Sequence, residues 1–223
     1  MRWTLILGIF LFPSDIVSQT LTGWEQPMGL FSRFLKVKDD RLWAQFEKKQ
    51  NDRATLVEKA RAIAPVIVQS SSNHAELLQK RVLQDHDIGR LFFESQILDL
   101  HLMDKLAFAS LGAEKRKWFM DALYDEVISL MSNFGEKESE IQEMREAFAK
   151  MYGQRFQEYA STTLFPEKND QGGLDIRKTV GWKFGEVVGG DDIAQLALVE
   201  ITSDHFLLLI EHLQLRELLN GYR

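Results

Sequence analysis

The chain is organised around Leu91 to Phe108, LFFESQILDLHLMDKLAF, a stretch that is apolar nearly all round when wound as a helix. At 3.6 residues per turn its apolar side chains do not keep to one side but cover most of the cylinder. A helix of this kind needs neighbours all round, or lipid. Glu94, Asp99, His101, Asp104 and Lys105 interrupt the run, which argues against lipid, since each charge at bilayer depth is costly. The pattern predicts a buried central helix over 91–111, closed by Gly112, in a soluble helical domain.

The flanking periodicities are helical too. Asp39 and Asp40 stand as caps before Leu42, Trp43 and Phe46, and the run continues through Leu56, Val57, Ala60 and Ile63 to a stop or kink at Ala64-Pro65. Ser70 to Asn73 predicts a break. Ser72 or Asn73 then caps a helix carrying Leu77, Leu78, Val82 and Leu83, which runs through Asp85-His86-Asp87 into the central one. Further helices are expected over Ala113–Met131, Glu136–Ala160, about Leu174–Val188 and Asp191–Leu219, the last from an Asp-Asp cap and bending near Thr202-Ser203. Leu164 to Gly173 is the clearest loop. There is no strand pattern of useful length and no repeat. The expected fold is all-α: a single irregular or orthogonal bundle of about six or seven helices, spanning residues 39–223.

Residues 1–38 form a separate segment with two readings. Arg2 followed by the apolar run Trp3–Phe12 suits a secretory signal core, though Ile16-Val17-Ser18 is a poor cleavage site. Alternatively, translation starts at Met28, which implies a cytoplasmic protein; the first reading implies export with a cleaved signal. Within 29–37, Leu30, Phe31, Phe34 and Leu35 share one helical side, with Arg33 and Lys36 opposite. That segment suits a membrane-surface anchor or an arm folded back on the domain. Arg33 occupies the position where myristoylation requires Ser or Thr.

Composition narrows the chemistry. Of 223 residues, 45% are hydrophobic and 27% charged, enough for a sizeable core. The formal net charge of −6 argues against nucleic acid, which needs a basic stripe. The absence of cysteine removes disulfides, thiolate nucleophiles and Cys-based metal sites.

Candidate sites follow from spacing. Asp87, Glu94 and His101 succeed one another at seven residues, with Lys105 four beyond and Arg90 and Asp104 beside them. This stripe suits a polar site in a bundle core, but seven residues separate two side chains by about 10.5 Å along the axis, too far to share one metal ion. It equally suits a wet strip or a buried ion network tying helices together. His205 and His212, beside Asp204 and Glu211, repeat the spacing on the last helix. His74 and His86 lie among polar neighbours and read as surface residues. Gly181, Gly185 and Gly189 make a smooth ridge for a close helix neighbour within the chain, or for a partner. Arg155, Glu158 and Tyr159 fall within one turn, as a surface ion pair or a pocket lining. No HExxH, Walker or Gly-x-Ser-x-Gly pattern occurs, and no cofactor is expected.

These features favour a non-enzymatic helical module that binds another protein. A ligand- or metal-binding pocket between the central and last helices, drawing on Glu94, His101, Asp104, His205 and His212, is the alternative. A peripheral membrane protein held by residues 29–37 is a third.

Overall fold

The computed structural model describes residues 40–131, 137–168, 173–189 and 191–214. The segment 1–38, with Phe31 and Phe34, lies outside them, as do the cap Asp39, the side chains of Leu42, Trp43 and Phe46, and residues 215–219 of the last expected helix. The chain divides into two units, Met1–Gln50 and Asn51–Arg223. Of the first, residues 40–50 are described and are helical. All contacts below lie within the second.

The protein is predominantly helical. Among the described residues there are five α-helices: α1 (Asp40–Arg81), α2 (Ile88–Met131), α3 (Glu138–Tyr159), α4 (Val180–Val188) and α5 (Asp192–His212). The expected six or seven fall to five because two long helices each absorb a pair. α1 runs straight through Pro65 and the serines. Its buried positions explain why: Leu56, Ala60, Ile63, Ala64, Ile67, Ser71, His74, Ala75 and Leu78 recur at three- and four-residue steps across both supposed breakers. Pro65 sits on the exposed side, so the carbonyl four residues back loses its N–H donor where water is at hand.

The break falls instead at residues 82–87, which had been expected to be continuous. The amides of Val82 and Leu83 both reach the Leu78 carbonyl, each at 2.9 Å, and close α1. Asp87 Oδ1 then accepts from the Arg90 amide at 2.8 Å and caps α2.

Gly112 ends the central helix as expected. Its φ of 71° and ψ of 168° lie outside helical geometry, and the chain re-enters the helix at once. Before this kink, eleven consecutive residues from Glu94 to Asp104 are buried. α2 packs against α3 and α4, and α4 against α5. The α2–α3 seam is aromatic, with Phe93 against Phe148 and Tyr124 against Tyr152 at 5.9 and 4.9 Å between ring centres.

The expected helix from Leu174 starts six residues later. Two short strands, β1 (Glu167–Lys168) and β2 (Leu174–Asp175), pair antiparallel, and a 3-10 turn spans Ile176–Lys178. Thr179 then caps α4 by accepting from the Trp182 amide. Gly181 and Gly185 face α5 directly: a Cβ added at Gly181 would lie 3.0 Å from Val199 Cα, and one at Gly185 2.9 Å from Gln195 Cγ. Gly189, at φ 91°, is the left-handed C-cap of α4. Asp191 caps α5 as expected, and α5 is helical through Thr202-Ser203 where a bend was expected.

Two glycines separate backbone strain from sterics. A Cβ at Gly112 or at Gly153 would meet nothing within 4 Å, but only Gly112 has positive φ. Gly112→Ala is expected to lower unfolding free energy by about 1–3 kcal/mol. Gly153→Ala, inside α3, should raise it by up to about 1 kcal/mol. Urea denaturation of both variants checks the contrast.

Candidate functional site: buried ionic clusters around the central helix

Three carboxyl groups of the central helix, Glu94, Asp99 and Asp104, are 0%, 0% and 6% exposed. Their five-residue spacing turns each about 140° from the last, so each meets a different part of the fold.

Glu94 faces α3. Arg155 grips it through Nε, 3.0 Å from Oε2, and Nη2, 2.9 Å from Oε1, while Nη1 donates to Glu158 at 2.9 Å. A planar guanidinium fork suits a desolvated carboxylate. The Glu94 hydrogen bond and charge, with Glu158 helping, raise the Arg155 pKa against the pull of burial. One turn on lies Tyr159, fully buried, its hydroxyl without a partner among the described residues. Burial first, and the Glu94 charge second, push that phenol far up. The His101 ring lies edge-on to Tyr159 at 5.6 Å and to Phe156 at 6.1 Å. Neither of its nitrogens has a partner among the described residues. Burial, reinforced by Lys105 and opposed by Asp104, pulls its pKa down to about 4. Lys105 Nζ donates to the Ala160 carbonyl at 2.9 Å, just past the end of α3. The sequence stripe Glu94, His101, Lys105 is therefore the α2–α3 seam, and it meets the candidates Arg155, Glu158 and Tyr159 from the other side. Asp87, the first residue of the stripe, is the α2 cap.

Asp99 faces α1 and α5. His205 Nε2 donates to Oδ1 at 2.6 Å, and the Ser71 hydroxyl lies 2.8 Å from Oδ2 and 2.8 Å from the Ile67 carbonyl. On the far face of the His205 ring lies His74, stacked at 4.1 Å between centres and 7° between planes. Burial lowers the His205 pKa, but the Asp99 charge and hydrogen bond outweigh it and the net direction is up. His74 goes the other way: burial first, and the His205 charge second, hold it well below 6.5.

Asp104 turns back along its own helix. Arg116 forks onto it at 2.7 and 2.6 Å, across the Gly112 kink, and lies 5.3 Å above the Phe108 ring.

The five candidates for a pocket between the central and last helices are thus spread out. Glu94 and His101 meet α3, Asp104 meets Arg116, His212 is exposed at the end of α5, and His205 alone bridges α5 to α2, through Asp99. Gly181 and Gly185 serve the α4–α5 contact. His74, expected at the surface, is 2% exposed. The signal that places it and Ser71 inside is their position on the apolar stripe of α1, masked by the run of serines. Among the described residues no group of three His, Asp or Glu side chains is placed to hold a metal ion. Parallel stacked imidazoles direct their ring lone pairs side by side, not toward one point. What the arrangement does chemically is tie α3, α5 and the second half of α2 to the central helix by charge.

Compared with known proteins, the chain matches no protein-family model, no curated relative and no solved structure.

Breaking the Glu94–Arg155 pair from one side strands a buried charge, so Glu94→Leu is expected to cost about 3–5 kcal/mol. Combined with Arg155→Met, the total should fall below the sum of the single losses, a coupling a double-mutant cycle in urea measures. For His101 the sign follows from its depressed pKa. Below 6.5 the unfolded chain takes up a proton that the native ring refuses until about 4. Stability is therefore whole above 6.5 and falls toward pH 4, by on the order of 3 kcal/mol. His101→Phe should flatten that part of the curve of urea midpoint against pH.

Proposed function

We propose that this chain is a helical protein-interaction module whose contact surface is the outward side of α5. In this reading the helices form an irregular bundle with α2 at its centre. The buried charges hold that bundle together and recognition takes place outside it.

One observation carries the reading. α5 is the described helix long and apolar enough to cross a membrane, yet 28% of its most apolar stretch is buried. Ile193, Leu196, Leu207 and Leu208 are 79%, 51%, 55% and 66% exposed. At 100° per residue they fall on one side of the helix. Covering them removes apolar area from water, at about 1–2 kcal/mol for each side chain.

The same side carries Glu200, Asp204 and Glu211, all exposed. Carboxylates at its centre favour a partner with apolar anchors and interleaved Lys or Arg, and they repel an anionic lipid surface. The opposite side of α5 is committed to Asp99 through His205 and to α4 through Gly181 and Gly185. A helix so held supports docking of a partner over crossing of a bilayer.

A photo-crosslinking residue at Leu196 or Leu207 should give a discrete protein adduct in the native cell, absent when the probe is at Glu146 or Lys150 of α3. Leu207→Asp with Leu208→Asp should abolish the adduct formed at Leu196 while shifting stability by about 0.5 kcal/mol or less, as surface changes do. Identical adducts at α3, or none at α5, would refute the reading. Flotation with anionic liposomes that depends on Leu207 and Leu208 would assign the surface to membrane instead.

A further inference from the structure

The stacked histidines do not depend on what α5 binds, and they have a chemistry of their own. His74 comes from α1 and His205 from α5. The groups facing the His74 ring are few. From α5 there is His205, in contact at 4.1 Å; from α2 there is Asp99, reached through His205 and Ser71; from α4 there is Phe184, at 6.0 Å. His205 is the sole titratable group in direct contact among these, and Asp99 already has both oxygens engaged, one by His205 and one by Ser71.

Neither nitrogen of His74 has a partner among the described residues. A neutral imidazole brings one N–H donor to such a site and a protonated one brings two. Protonation of His74 would thus bury a second cation face to face with the first, with a single carboxylate, bonded to His205 and Ser71, to serve both and no acceptor among the described residues for either N–H of His74. The ring can take a proton only by leaving the stack. Leaving it parts α1 from α5 at this point, where the two rings face each other.

We propose that the His74–His205 stack is a proton-operated latch, closed while one proton is shared with Asp99 and opened when a second arrives, releasing α5 from α1. The depressed titration of His74 agrees with a ring kept neutral while the latch is closed. The sign is that of a buried neutral base: the latch is whole above the ordinary histidine range and weakens as pH falls below 6.5. The Asp99–His205 contact works in the opposite sense, since the raised pKa of His205 makes that pair hold on the acid side. Acid therefore opens the stack without first dissolving the Asp99–His205 tie.

Hydrogen–deuterium exchange of the full chain at about pH 7.5 and about pH 5, with times scaled for intrinsic exchange, tests this. Protection of α5 and of residues 71–81 is expected to fall at least about tenfold relative to α3 on acidification. His74→Phe keeps a flat ring in the stack without a site for the proton, and should hold that protection at the lower pH. Unchanged α5 protection in the natural chain, or an acid loss that persists in His74→Phe, would overturn the latch. Should His74→Phe fail to fold, carbon NMR of the natural chain decides. The His74 ring should gain its proton in the pH interval where α5 loses protection, and titration of His74 with α5 still protected would overturn the proposal.

Discussion

The structure depends on pairing charge inside the central helix. A stretch of eleven buried residues has water on no side, so every carboxylate in it must find its counter-charge from the protein, while His101 stays neutral. Glu94 finds Arg155, Asp99 finds His205, and Asp104 finds Arg116. The partners come from α3, from α5 and from beyond the Gly112 kink. Apolar residues alone would bury the helix in many alternative registers of similar energy. A carboxylate that must meet one particular guanidinium or imidazole leaves few of them tolerable. Isosteric apolar replacements of buried ion pairs are often as stable, so the pairs here are better understood as fixing which neighbour sits where.

The Asp99 side shows how far this extends. Ser71 and His205 reach one carboxyl group from two helices, and His74 rests on the far face of His205. α1, α2 and α5 therefore share one small cluster in which two stacked imidazoles stand beside one carboxyl group. The α3 side is built otherwise. There the fork of Arg155 is saturated by Glu94 and Glu158, the Tyr159 phenol is driven up, and His101 is driven down. The imidazole of that seam, His101, takes its proton only well below neutrality, whereas the Asp99 cluster contains the pair of imidazoles whose shifts oppose one another.

Much of this was legible in the residues, and the rest was hidden for physical reasons. The all-round apolar run foretold a buried helix because no other environment suits it, and Gly112 and Asp191 acted as the stop and cap that their chemistry suggests. The close glycine seam at 181 and 185 followed from spacing alone. Pro65 and Ser70–Asn73 misled because local breakers were weighed above the stripe running through them. A buried stripe of this length is worth more than the one hydrogen bond that Pro65 removes at an exposed position. The stop at 82–87 is hidden because no strong breaker stands there, and the seven-residue spacing of Asp87 from Glu94 and His101 conceals its role as a cap. The same grouping concealed the five-residue progression Glu94, Asp99, Asp104, whose 140° steps distribute charge around the helix rather than gathering it into a pocket. His74 lies on the buried stripe of α1, but the polar residues beside it in sequence hide that position. What buries it is His205, 131 residues away.

α5 shows what such an arrangement leaves over. Its inward side is specified twice, by His205 on Asp99 and by the glycines of α4, and neither contact engages Ile193, Leu196, Leu207 or Leu208. A helix chosen only for stability would carry polar residues outward, as α3 does with Glu143, Glu146 and Lys150. α5 instead keeps leucines beside carboxylates there, which adds nothing to the intrinsic stability of the bundle. An apolar side at that position, on a helix whose inward side is fixed by charge, is the kind of exposed patch that marks contact surfaces, and the proposed interaction rests on it.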